Sequence, residues 1–545
     1  MERYINHIIK SSENRVDSFI KNQILDETRL DYGGIPQNLV DVKPTVYILS
    51  NAIAVYLNKN SKYYHESFLY NRMLLALDFI KRNQRSDGTF DYPSCNFMSA
   101  PDTSFCLKRL IASYKLLMKY GDNYQTEKLI QAFLNIIKPA IVGVMNGGFH
   151  TPNHRWAITA ALLQCSNIFK DNIEFSNNLK KRANQYLAEG IDCNEDGEYS
   201  ERSTGNYNAV VNTALISIYE ETGDYQFIEY VRKNLNMMLT YIEPDDTIFT
   251  QNSTRQDKGN RQYADKYFYQ FLYLTDIFGI DQFDSAAHKI IYDNMKRNDE
   301  APDCLHILML QEQLQSYHFK DYGFLDSYRK YYQDSGVVRV KKQKFTYSII
   351  ANSNKFLFLQ VGSTSIYMKI GISYCSTRNF QVEAIETGDG CYTLTYGAKG
   401  WYYLPFDNYE GTSDWWKMDH SKRKILNNTH LEIKVIVAEK EDGLAISISS
   451  KGCDKIPIRV EICIPDQSII ENNYFYTKAR KGQGMIVREG NVNIHHEDQI
   501  IQVGPGFGTH EFQGHYSGEE KNELDYTLFF NEYTHLDKTI YLKIK

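Results

Sequence analysis

A single change of period divides this sequence. Up to about residue 325, apolar residues recur at i, i+3, i+4 and i+7, as in SFLYNRMLLALDFIKRNQ, DTSFCLKRLIASYKLLMKYG and NAVVNTALISIYEETG. That is the spacing of one face of an α-helix. Beyond it come short runs rich in Val, Ile, Tyr and Phe, such as HLEIKVIVAEK, GLAISISSKG and PIRVEICIP, separated by Gly, Asn and Asp. Those are strands and turns. A chain that is all helix and then all strand builds two bodies rather than one mixed layer. The expected organisation is an α region over 1–325 and a β region over 326–545, which suits a length of 545 residues.

The helices recur in pairs at a period of about 45–60 residues, which admits a solenoid or a closed α/α toroid. The loops favour the toroid. DGTFDYPSCNFMSAPDT, NGGFHTPN, CNEDGEYSERSTGNYN and FTQNSTRQDKGNRQY are long and chemically rich, and a toroid collects such loops at one end. Eight or more strands in the second part imply an antiparallel β-sandwich.

The net charge of −6 argues against a nucleic-acid partner, while a local basic cleft for an anionic substrate stays compatible with it. The 42 tyrosines suit stacking on sugar rings, though a codon bias that enriches Tyr, Asn, Ile and Lys explains them equally well. Nine cysteines without a CxxC pair read as buried free thiols of a reducing compartment. The N-terminus MERYINHIIKSSENRVDSF has no apolar core of a signal peptide, and no run approaches the uninterrupted apolar length of a membrane span. A cytoplasmic protein without membrane contact is expected, and its oligomeric state stays open.

Two clusters carry chemistry. In Gly147-Gly148-Phe149-His150-Thr151-Pro152-Asn153-His154-Arg155-Trp156, Thr151 suits an N-cap and Pro152 the first helical position. Asn153, His154 and Arg155 then occupy the first turn, where the helix dipole disfavours imidazolium. In Asp196-Gly197-Glu198-Tyr199-Ser200-Glu201-Arg202-Ser203-Thr204-Gly205-Asn206-Tyr207, Tyr207 stands at another helix start, which favours phenolate character. Taken alone, His154 reads more readily as a structural histidine, and Tyr207 as one more aromatic packing a helix start. Together they place proton-handling residues at the starts of successive helix pairs. Asp102, in Ser99-Ala100-Pro101-Asp102-Thr103, suits a cap. His495-His496 and the pair His510 and His515 lack the spacing of a helical zinc motif, so no metal is expected.

The NHRW and DGEYSERSTGNYN segments resemble the signature regions of the heparinase II/III-like and alginate-lyase-like polysaccharide lyases. The resemblance implies a multidomain fold, an N-terminal α/α toroid followed by a C-terminal antiparallel β-sandwich. It implies β-elimination on a uronic-acid-containing polysaccharide or oligosaccharide, with no cofactor. Asn153 would bind and neutralise the uronate carboxylate, His154 would be or assist the base, and Tyr207 would protonate the departing oxygen or serve as both acid and base. Arg155, Trp156, Arg202, Asn252 and Arg255 would line the substrate, and the three arginines tilt the expectation toward glycosaminoglycans. Many relatives add a histidine from the first part of the sandwich. Here the corresponding stretch Gly371–Arg378 has none, and the nearest is His420, in a loop with Trp415 and Trp416. Those tryptophans suit sugar stacking or, equally, a hydrophobic patch closing a domain interface. Two rival readings stand beside the lyase. One is a glycoside hydrolase using paired carboxylates among Glu198, Glu201 and Asp102; the other is a non-catalytic carbohydrate-binding protein.

Overall fold

The computed structural model describes residues 1–320, 323–343, 345–511 and 522–545; His515 lies outside the described residues. The chain forms two compact units. One comprises Met1–Ile242 and Asp246–Leu325, the other Glu243–Asp245 and Asp326–Lys545.

The first unit is helical. Its long helices are α1 (Glu2–Asn22), α2 (Val42–Leu57), α3 (Ser67–Arg82), α4 (Ala100–Tyr120), α5 (Tyr124–Asn146), α6 (Pro152–Ile168), α7 (Ile173–Leu187), α8 (Tyr207–Thr222), α9 (Tyr225–Leu239), α10 (Phe268–Phe278) and α11 (Asp281–Lys296), followed by the short α12 (Leu305–Leu310) and α13 (Glu312–Gln315). The even-numbered helices α2, α4, α6 and α8 pack one on the next, and each is backed by the helix that follows it. Helix α1 packs on both α2 and α11, which closes the succession into a toroid. The up-and-down alternation brings the N-terminal ends of α4, α6 and α8 to the same end of the unit.

Local chemistry sets the helix ends. Ser99, not Asp102, is the N-cap of α4: its Oγ accepts from the Asp102 N–H at 3.2 Å and donates to Asp102 Oδ2 at 2.7 Å. Asn123 and Thr126 make a reciprocal capping box at the start of α5. Helices α8 and α10 end on Gly223 and Gly279, both in the left-handed region. Among the described residues α5 alone is long and apolar enough to cross a membrane by length and composition, although no uninterrupted apolar run marks it in the sequence. One face of it, with Leu129, Phe133, Ile137 and Ile141, is buried in this unit, where it packs on α3, α4 and α6.

The second unit consists of two sheets, each nine-stranded. The longest strand, Ile425–Lys440, pairs antiparallel with Cys391–Tyr403 on one side and Gly443–Gly452 on the other. Alternation along it sends Leu431, Ile433, Val435 and Val437 into the common core, where none is exposed. Among the described strands the pairing is antiparallel except for Gly484–Ile486, which runs parallel to Tyr526–Tyr533. His495 bonds Glu471 Oε1 at 2.8 Å, and His496 bonds the Thr364 hydroxyl at 3.0 Å.

Candidate active site

The site is built around the N-terminus of α6. Thr151 is its N-cap and Pro152 its first residue. The N–H groups there have no partner within the helix, and a carboxylate from another segment meets them. Glu201, from the loop between α7 and α8, accepts from Asn153 N–H at 2.9 Å and from Asn153 Nδ2 at 2.7 Å, both through Oε2. The positive end of the helix dipole stabilises a carboxylate in this place. The second Glu201 oxygen, Oε1, lies 3.5 Å from Arg255 Nε. The Arg255 guanidinium lies 5.3 Å from the Tyr207 ring centroid, and the Tyr207 hydroxyl is 3.4 Å from Gln256 Oε1. One buried carboxylate therefore joins Asn153, Arg255 and, through the arginine, Tyr207.

Two loops are locked together beneath these groups. Asp257 is buried and accepts from Ser203 Oγ at 2.9 Å, Ser253 Oγ at 2.6 Å and the Gly205 N–H at 2.9 Å. A Cβ on Gly205 would stand 3.0 Å from Asp257 Oδ2, tighter than an ordinary contact, so a side chain here would press on this carboxylate. Thr254 Oγ1 adds a bond to the Glu201 carbonyl at 2.9 Å, and Ser203 Oγ receives the Tyr207 N–H at 3.0 Å. These bonds fix the start of α8, and with it Tyr207, against the segment that carries Arg255.

His154 stands one residue after Asn153 and is half-buried. Phe105 meets its ring edge-on at 5.8 Å between centroids, and His150 does so at 6.0 Å. Its Nδ1 atom is buried and has no hydrogen-bond partner among the described residues. Burial pushes the imidazole down to about 4; Asp102 opposes this, while the charges of His150, Lys43 and Arg255 add to it. The ring is thus neutral, and a proton acceptor, throughout the neutral range. Two pH effects follow. If His154 is the base, activity is full above its folded-state value and falls as pH drops through about 4, so the acid limb of kcat/KM lies near 4; a limb near 6.5, the ordinary histidine value, would contradict this. In the window between about 6.5 and 4 the unfolded chain binds a proton that the folded chain does not. His154 therefore makes folding less stable as pH falls through that window and contributes no pH dependence above it.

The structure brings Asn153, His154, Tyr207 and Arg255 to one region but corrects several expected contacts. Asn153 has no exposed surface, and its amide donates to Thr151 Oγ1 at 3.0 Å and to Glu201; both hydrogens are committed, so it holds Glu201 rather than a substrate carboxylate. Arg155 is buried, bound to Glu189 at 2.6 Å, the Gly190 carbonyl at 3.1 Å and Asp192 at 3.3 Å. Trp156 is fully buried and donates Nε1–H to Asp192 at 2.6 Å, so neither residue faces a sugar. Asn252 is buried and donates to Glu198 Oε1 at 2.9 Å. Arg202 is half-exposed, with its guanidinium 3.6 Å from Glu198. Trp415, Trp416 and His420 belong to the second unit. Trp416 is 90% exposed, and His420 Nε2 lies 2.8 Å from the Trp415 carbonyl. Sequence reasoning missed the pivotal role of Glu201 and the place of Lys43, whose ammonium bonds Asp102 at 3.2 Å and covers the Phe105 ring at 4.9 Å. No motif marks Lys43, because it reaches the region from α2.

No protein-family pattern matches the sequence, and no curated protein matches it. Solved structures do. Heparinase III superposes with a TM-score of 0.58 at 10% identity, covering 98% of this chain and 85% of that one. A chondroitin AC lyase from Streptomyces coelicolor A3, in complex with chondroitin sulphate, gives 0.54 at 9% identity over 100% and 80%. A xanthan lyase from Paenibacillus gives 0.56 at 10% identity over 99% of this chain and 57% of its own. At such identities the likeness establishes architecture, and this chain has the fold of these enzymes, a helical toroid followed by a β-sandwich.

Proposed function

We propose that the protein is a polysaccharide lyase that cleaves a uronic-acid-containing polysaccharide or oligosaccharide by β-elimination, with a glycosaminoglycan-like chain as the favoured substrate. The observation that carries this reading is the gathering of a neutral His154, Tyr207 and Arg255 around the helix-capping Glu201. The Arg255 side chain is 31% exposed and supplies charged donors for the uronate carboxylate. Stabilising that group as it takes on enolate character lowers the barrier to losing the C5 proton. His154 accepts this proton, the C5–H electrons form the C4–C5 double bond, the C4–O bond breaks, and the Tyr207 hydroxyl gives its proton to the departing oxygen. No water is consumed, and a net proton passes from C5 to the new hydroxyl.

The burial of the carboxylates favours this over hydrolysis. Glu198 and Glu201 are almost wholly enclosed, and Glu201 is already engaged by Asn153 and Arg255. Asp102 is held by Ser99 and Lys43. A hydrolase needs two carboxyl groups free to flank the bond. The decisive assay incubates the protein with heparan and chondroitin sulfates, alginate, pectic acid and xanthan. Elimination is expected to appear as ultraviolet absorbance of a 4,5-unsaturated uronate; new reducing ends without that absorbance would establish hydrolysis instead.

A further inference from the structure

Arg255 is carried near the middle of a long segment that runs from Asp246 to Asp265. The ends of this segment meet in a bridge between Thr247 and Tyr263, and the Ile248 N–H donates to the Gln262 carbonyl at 2.8 Å. The Phe249 N–H adds a bond to the Tyr241 carbonyl at 2.8 Å. Strand pairing this short is not stable by itself, so the root of the segment draws on other support. Its far part is held to the loop before α8, through Asp257 and Thr254.

The support at the root is Arg297, the residue that follows α11. Its Nη1 lies 3.4 Å from Asp246 Oδ2, its Nη2 3.4 Å from Asp265 Oδ1 and its Nε 2.7 Å from Asp299 Oδ2. The guanidinium carbon stands over the Tyr263 ring, 3.7 Å from its centroid. One planar group thus meets both ends of the segment and the bridge residue between them. A guanidinium suits this place because it offers donors in several directions of one plane and packs on a ring, which an ammonium does not. Two other residues hold the ends singly. Lys289 of α11 binds Asp246, and also Asp293 at 2.7 Å, while Asn294 Nδ2 donates to Asp265 at 3.2 Å. The Arg297 side chain is 20% exposed, so water and salt screen its contacts less than those of a surface ion pair. With its tip pinned to the loop before α8 and its root to α11, the segment takes its place in the helical unit from the root.

We infer that Arg297 is a positioning residue of the candidate site: by tying Asp246 to Asp265 it sets where Arg255, and the groups locked to it, stand. The kinetic consequence rests on the proposed lyase function, which gives Arg255 the substrate carboxylate. The anchoring of the segment does not depend on that function.

Arg297→Met keeps an apolar stem beside Tyr263 and removes the three charged contacts. The segment then spends part of its time out of place, and a substrate must draw it back. Apparent affinity falls by the fraction in place, while the bound complex reacts normally, so KM is expected to rise about fivefold with kcat within about twofold. Hydrogen exchange of the intact protein, read by mass spectrometry, should be about tenfold faster across 246–263 and unchanged in α4. Arg297→Lys, which pairs with one carboxylate at a time, should fall between the two in both measurements. Arg232→Met, which breaks an ion pair of α9 with Glu229, should alter neither. Unchanged exchange across 246–263 in both Arg297 variants would overturn the anchoring. Faster exchange throughout the helical unit, with kcat lowered and KM unchanged, would mark a general loss of folding and overturn it as well. Local exchange without a rise in KM, where elimination is found, would remove the positioning role. If no substrate yields ultraviolet product with the unaltered protein while local exchange responds to Arg297, the anchoring stands and the lyase reading fails, and the kinetic role falls with it.

Discussion

Tyr207→Phe is expected to reduce kcat by about a thousandfold while leaving substrate affinity within a factor of a few. The substitution removes one oxygen at the start of α8. Among the described residues that oxygen makes a single long hydrogen-bond contact, 3.4 Å to Gln256, and the ring keeps its place beneath the Arg255 guanidinium. Stability should therefore change by no more than about 0.5 kcal/mol. Without the hydroxyl, the leaving oxygen departs as an alkoxide, and loss of a positioned proton donor costs of this order. Initial rates by ultraviolet absorbance and binding by titration, on the same preparation, separate the two quantities. A phenylalanine variant with near-normal kcat would remove Tyr207 from the chemistry.

Glu201→Gln should lower kcat/KM about a hundredfold, although Glu201 does not take part in proton transfer. The glutamine is the same size, and its carbonyl oxygen can still accept from the two Asn153 donors. Its amide nitrogen, however, faces Arg255 where the carboxylate oxygen stood, and two donors repel. Arg255 then loses the anchor that aims it at the substrate carboxylate, and misplacement by about 1 Å is enough for an effect of this size. The cost in stability is smaller, about 1 kcal/mol, because charge-assisted bonds to Asn153 become neutral ones. A positioning role predicts that the pH dependence of the residual activity is unchanged, since His154 still titrates. A Glu201 carboxylate acting as acid or base would instead move or erase one limb of the profile.

The architecture was legible because it rests on periodicity. The heptad-like spacing in α3, α4 and α8 and the alternation in Ile425–Lys440 appear as helix and strand, since each buries one face and exposes the other. Short strands such as Ile469–Glu471, Tyr476–Lys478 and Gly484–Ile486 did not show, because three residues carry too few alternations to stand out from a loop. At the site, although the side chains of Thr151 and Asn206 make no cap bond among the described residues, the helix start at Pro152 followed from the Thr-Pro pair and the start at Tyr207 from the apolar face behind it. The direction of side chains did not. In Asn153-His154-Arg155-Trp156 successive residues turn about a helix axis, so His154 stays accessible while Arg155 and Trp156 go inward to Asp192. The Glu201 bond to Asn153 and the Asp257 bonds to Gly205 join segments distant in sequence, and no motif announces such pairings.

The Asp257 clamp has a consequence for how the protein could adapt. With Ser203, Gly205 and Ser253 all bound to one carboxylate, the segments bearing Tyr207 and Arg255 shift as a single piece. In the proposed reaction, the spacing between the group that grips the sugar acid and the group that completes bond cleavage is thus inherited from the clamp, like the fixed jaw of a calliper. Acceptance of bulkier or differently decorated chains must evolve at the surrounding rim, leaving the distance between those two groups untouched.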